Sequence, residues 1–241
     1  MLVAASRETS ESAKQWVYRV LRRGIMTGQF EPGDPVTING LAETLGVSAM
    51  PVREALHRLV ADGALELLDN RRVRVPDLDP QRFEEVMEAR VALETRAAER
   101  AMPFIDETRL ARMRAFDQQA DQALAIGNFG RLVEANFDFH RCLYEARPGT
   151  VLLPLIESLW LRLGPFMRRA GETLSETYQV DRHAEALCAI VKQDAEALKV
   201  AIAADIRDGA GHLGRSHFER IAALEERADG SRDRKTGTFT L

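Results

Sequence analysis

The chain has 241 residues, of which 45% are hydrophobic and 29% charged, with a net charge of −4 and two cysteines. That length holds two ordinary domains, while no run approaches the ~20 apolar residues of a membrane span and the N-terminal apolar stretch is too short for a secretory signal. Cys142 and Cys188 make neither a disulfide framework nor a closed zinc knot, so a reducing, cytoplasmic setting is expected.

In chain order, residues 10–27 are predicted to form a helix, because Trp16, Val17, Val20, Leu21 and Ile25 share one face. Two Gly and two Pro in residues 28–35 end it. Thr37 is the expected N-cap of a short helix that stops at Gly46. Ser48 opens another helix, running to about Asp62, with Val47 and Val52 placed as a hydrophobic staple and Pro51 in the first turn, where its missing N–H costs little. Val52, Leu56, Leu59 and Val60 form its buried stripe. After Gly63 the period changes: Leu65 and Leu67, then Val73 and Val75, alternate with polar residues as in strands, with residues 69–72 as the turn. Helix, helix-turn-helix and hairpin make a winged helix-turn-helix.

Residues 77–80 are the expected linker between a DNA-binding unit at 10–76 and a helical unit at 81–226. Helices are predicted at 81–102, 106–126, 129–147, 151–170, 173–192 and 195–225, the last kinked or split by Gly209, Gly211 and Gly214. Residues 227–241 read as a disordered tail. The fold class is therefore mainly α, a winged module with a small hairpin followed by an all-α bundle. Charge alone does not point to nucleic acid, since residues 1–76 hold ten Lys and Arg against nine Asp and Glu. The motifs do.

Phe30, Pro32 and Gly33 (F-x-P-G), Leu41 to Ser48 (L-A-x-x-L-G-V-S), Pro51 to Leu56 (P-V-R-E-A-L) and Leu59 to Gly63 (L-x-x-D-G) together resemble the GntR-type winged helix-turn-helix. A recognition helix enters the major groove with its N-terminus leading. Ser48, Ala49, Met50 and Arg53 are thus the expected contacts, and Arg53 is the residue able to bond guanine bidentately. Asn39, Asn70 and Arg71 are expected at the backbone or minor groove. Where the family commonly has a polar pair such as Arg-Thr, this chain has Ala49-Met50, which implies a different operator. Modules of this type act as homodimers, on half-sites about one helical turn apart.

The helical part resembles the FadR C-terminal effector domain over Glu88 to Ala98, Ala135 to Ala146 and Arg182 to Leu198. Many such domains hold a divalent metal with an Asp-x3-His pair and two later His. Carried over residue by residue, the positions here are Asn136, His140, His183 and Asp205. Asn136 and His140 share a helix face. Asn replaces Asp and Asp replaces His, so one carboxylate and two imidazoles remain, a set suited to Zn, Ni or Mn. Satisfied core histidines in a metal-free pocket are the competing reading, and His212 and His217 are substitute ligands if the register differs. A carboxylate metabolite is the expected effector, with Arg90 as its partner ahead of Arg162 and Arg168. Cys142 and Cys188 are expected to be small buried hydrophobes. A metal-dependent enzyme built on the Asn/His/His/Asp cluster is the alternative, but no general base, nucleophile motif or phosphate loop accompanies it. A DNA-binding dimer with an inert helical domain is a third possibility.

Overall fold

The computed structural model describes residues 2, 6–68, 72–171 and 182–223. The expected wing turn with Asn70 and Arg71, the start of the helix predicted at 173–192 and the expected disordered tail lie outside these.

Helix α1 (Ala13–Met26) starts at a full capping box, in which Ser12 accepts from the Gln15 N–H while the Gln15 side chain accepts from the Ser12 N–H. All five residues of its predicted apolar face are buried. Helix α2 (Ile38–Leu45) begins at Thr37, whose hydroxyl accepts from the Gly40 N–H, and ends at Gly46 with φ 64°, a left-handed position glycine takes without steric cost. Helix α3 (Ala49–Ala61) follows at once and buries Pro51, Val52, Ala55, Leu56 and Leu59. Each of these larger side chains contributes about 1.5–3 kcal/mol on burial, which holds α3 against α1 and α2.

The sheet has three strands rather than the two of a hairpin. β1 (Pro35–Val36) pairs antiparallel with β3 (Val73–Arg74), which also pairs with β2 (Glu66–Leu67). At two residues, with a proline, β1 leaves no alternation in the sequence to find. The expected inward alternation holds for Leu65 and Val75, which are buried, but Leu67 is 54% exposed.

The second unit comprises α4 (Pro80–Ala101), a short 3-10 turn, α5 (Glu107–Ala125), α6 (Phe129–Tyr144), α7 (Leu152–Gly171), α8 (His183–Val191) and α9 (Ala195–Ile206). Asp79, Asp106, Asn128 and Asp194 cap four of them, each accepting a backbone N–H of the first turn. The glycine-rich last segment does not break. α9 passes through a π-helical turn at Arg207–Gly211 and continues as helix over 212–223. No helix of the described residues is long and apolar enough to cross a membrane.

The two units are in close contact through α1. A side chain on Gly164 of α7 would stand 2.2 Å from the Ile25 carbonyl oxygen and 2.5 Å from that of Met26. Only a bare glycine permits this approach.

Candidate functional site

Asn136 and His140 are one turn apart on α6, His183 is the first residue of α8, and Asp205 is near the end of α9. The bundle brings the four together although up to 69 positions separate them in sequence. One ligand atom from each of His140, His183 and Asp205 lies within 4.8 Å of the others, and all three residues are buried. His140 Nε2 is 2.9 Å from Asp205 Oδ2, and His183 Nε2 is 3.2 Å from the Asn136 side-chain nitrogen and 4.0 Å from Asp205 Oδ1.

The opposite edges of the two rings are held by other groups. His183 Nδ1 is 3.0 Å from an Asp117 carboxylate oxygen on α5, which can only accept, so that nitrogen carries the proton. His140 Nδ1 is 3.1 Å from the Tyr144 hydroxyl. That hydroxyl donates its one proton to Glu94 at 3.0 Å, so it accepts from His140 Nδ1–H. Both histidines thereby carry a proton on Nδ1 and turn Nε2 toward the same spot, where His140 Nε2 meets the Asp205 carboxylate and a second proton or a shared cation fills the contact. Half a turn of the Asn136 amide would offer its oxygen in place of its nitrogen. Histidine held through its far nitrogen by a carboxylate or hydroxyl is the usual support of a metal ligand, so the donors present fit a divalent ion.

Burial pushes the Asp205 carboxyl upward, but the His140 hydrogen bond and the neighbouring charges of His140, His183 and Arg90 outweigh it and hold the group below the ordinary value. Burial, then the Glu94 charge and hydrogen bond, push Tyr144 well up, so it stays a neutral hydroxyl.

Glu94 is fully buried and accepts from Arg90 Nε at 2.7 Å, Trp160 Nε1 at 3.0 Å and Tyr144. Tyr144 sits one turn beyond His140, a spacing visible in the sequence, and Glu94 ends the E-A-R-V-A-L-E run. Asp117 carries no comparable sequence signal. Arg90, Asn136, His140, Trp160 and Asp205 line one end of a cavity of about 100 Å³. Arg90 reaches that cavity while bonded to Glu94. Arg162 lies instead in a separate groove beside Gly63, and the side chain of Arg168 falls outside the described residues. Neither His212, which is exposed, nor His217, which packs edge-on to Phe166, joins the cluster. Cys142 is buried as expected, but Cys188 is exposed.

On the winged module, Asn39, Ser48, Met50 and Arg53 are exposed and Ala49 is half-buried. Ser48 occupies the N-cap of α3, as expected of the residue that opens the helix, but makes no side-chain capping bond. Glu54 pairs with Lys14 at 2.7 Å, and Arg53 has no ion-pair partner among the described residues.

The chain matches the family model described as bacterial regulatory proteins, gntR family, over residues 13–75, and the FCD domain over 85–208. The chain belongs to the GntR family. The HTH-type transcriptional regulator McbR of Escherichia coli is 30% identical over 155 residues, spanning 64% of this chain and 70% of that protein. A Bacillus subtilis protein named as the uncharacterized HTH-type transcriptional regulator YdhC is 26% identical, over 81% of this chain and 88% of the relative. The E. coli McbR/YncC structure superposes with a TM-score of 0.80 at 26% identity, over 86% of this chain and 99% of that one. A GntR structure from Rhodococcus, TM-score 0.68 at 22% identity over 84% of this chain and 98% of that one, shares the fold. This GntR-family chain is thus a DNA-binding transcriptional regulator with an effector-binding FCD domain, and not an enzyme.

Proposed function

We propose that this regulator reads operator DNA with α3 and that a divalent metal and a carboxylate effector, bound together in the helical cavity, set its operator affinity. On the DNA side Arg53 contacts base edges or phosphate, Met50 and Ala49 offer apolar contact to thymine methyls, and Ser48 and Asn39 meet phosphates. Asn70 and Arg71 would serve the wing. The chain acts as a homodimer on paired half-sites. Asn136, His140, His183 and Asp205 hold the metal, which supplies positive charge for an anionic headgroup. Arg90 contributes a second cationic contact from α4.

The observation that carries this reading is that α6 serves both units. Asn136 and His140 face the cavity. Between them, Asp138 takes a two-pronged bond from Arg23 of α1 at 2.8 and 2.7 Å, and Phe137 lies under the same guanidinium at 5.3 Å. Glu134 accepts from Gln29 at 3.1 Å. Any ligand that favours one placement of α6 therefore favours one placement of α1, which is how differential binding becomes a change in operator affinity.

The test uses an operator fragment selected from a random-sequence pool, with binding followed by fluorescence anisotropy. Metal-stripped protein, metal-loaded protein and metal-loaded protein with a carboxylate panel are expected to differ by about 5–150-fold in affinity. Equal affinity in all three states would refute the control mechanism. Chelation should also lower Tm, since a ligand of the native state alone must stabilise it.

A further inference from the structure

We infer that the cavity is built for an effector with one polar headgroup and a short, unhydroxylated apolar body, on the size scale of a small aliphatic monocarboxylate. The identity of the headgroup rests on the function proposed above. The character of the body rests on the cavity wall.

Along α6 the wall runs from Phe129 through Leu132 and Val133 to Asn136 and His140. At a rise of 1.5 Å per residue, this stripe spans about 16 Å with its polar groups confined to the C-terminal end. α7 repeats the arrangement: Trp160 lies at the polar end, and Leu163 and Met167 further along. On the α9 side Asp205 is polar, and Ala210 and Leu213 beyond it are apolar. Three walls therefore agree on which end is polar.

The polar end is also largely committed. Trp160 Nε1 and Arg90 Nε both donate to Glu94, which leaves the Arg90 terminal nitrogens and the metal position for one headgroup. Among the described residues, no hydroxyl, amide or charged side chain lines the rest of the wall. A sugar acid would bury hydroxyls there without partners, at a loss of about tenfold or more in affinity for each. Size acts in the same direction. A volume of about 100 Å³ is below the roughly 150 Å³ that accommodates benzene in an apolar protein cavity, so a body of a few carbons fills it.

Calorimetric titration of the full-length, Mn-loaded protein tests this with three probe sets: straight-chain acids from acetate to octanoate, the matching primary alcohols, and gluconate. Acid affinity is expected to rise about fourfold per methylene, to peak near five or six carbons and then to fall. Gluconate is expected to bind at least a hundredfold more weakly than hexanoate. Val133→Thr, nearly isosteric but hydroxylated, should weaken hexanoate several-fold more than acetate. The alcohols separate the two levels of the argument. A chain-length rise among alcohols without one among acids supports the apolar body and refutes the carboxylate headgroup. A flat response in both series, or gluconate binding more tightly than hexanoate, overturns the inference.

Discussion

Arg53 stands exposed on α3 with no ion-pair partner among the described residues. Its guanidinium is therefore left to solvent by the carboxylates of the described residues. Arg53→Ala is expected to weaken binding to the selected operator by about 1–3 kcal/mol and to relax preference at one base position, with Tm unchanged within a degree. Equal binding of parent and variant to every fragment would remove Arg53 from the interface. Tyr144 gives a contrasting case, because its hydroxyl links Glu94 to His140. Tyr144→Phe should lower metal affinity about 10–100-fold while leaving all four proposed ligands in place, measured by competition with a chromophoric chelator. Affinity equal to the parent's would show that the hydroxyl does not orient His140. Arg53 and His140 could be named as candidates from the sequence because each stands in a stretch that resembles a known family. Asp117 could not, since its role arises only from α5 lying against α8.

Among the elements, those legible in advance have a repeating pattern or a local chemical stop. Thr37 and Gly46 bound α2, and Asp194 opens α9 by accepting from the Ala197 N–H. Strand β1 escaped notice because its pairing with β3 is a long-range contact between short segments. The glycines of the last segment signalled irregularity but not its kind, a π turn beside Asp205, and such turns recur at functional sites. Cys188 was misread because apolar spacing on the short helix α8 does not say which side meets solvent. Gly164 yields a prediction at this scale. Gly164→Ala would drive a methyl into the Ile25 and Met26 carbonyl oxygens, and overpacking of this kind costs about 1–3 kcal/mol. A fall in Tm of several degrees is expected; an unchanged Tm would mean that α1 and α7 separate without penalty.

At the scale of the whole molecule, α1 is one element through which the two units are joined. On one side Tyr18 donates to Asp62 at 2.6 Å and Arg58 lies 3.8 Å over the Tyr18 ring, tying α1 to α3. On the other side Arg22 pairs with Glu157 and Arg23 with Asp138. The Arg23–Asp138 pair is about one-third exposed, so its worth to stability is at most about 1 kcal/mol. Its importance would lie in fixing how α6 and α1 move together. Arg23→Ala is expected to leave metal binding and Tm nearly unchanged, yet to remove most of the metal- and effector-dependent change in operator affinity. A full response in that variant would place the coupling elsewhere along the contact.

Met26 is the last residue of α1 and also part of the cavity wall. A bound molecule of sufficient length would touch the DNA-reading half of the protein itself, without any intermediary. Specificity and responsiveness are then a single trait in this regulator: a lineage, or an engineer, that reshapes the chamber to admit a new compound also resets how strongly the gene switch answers to it.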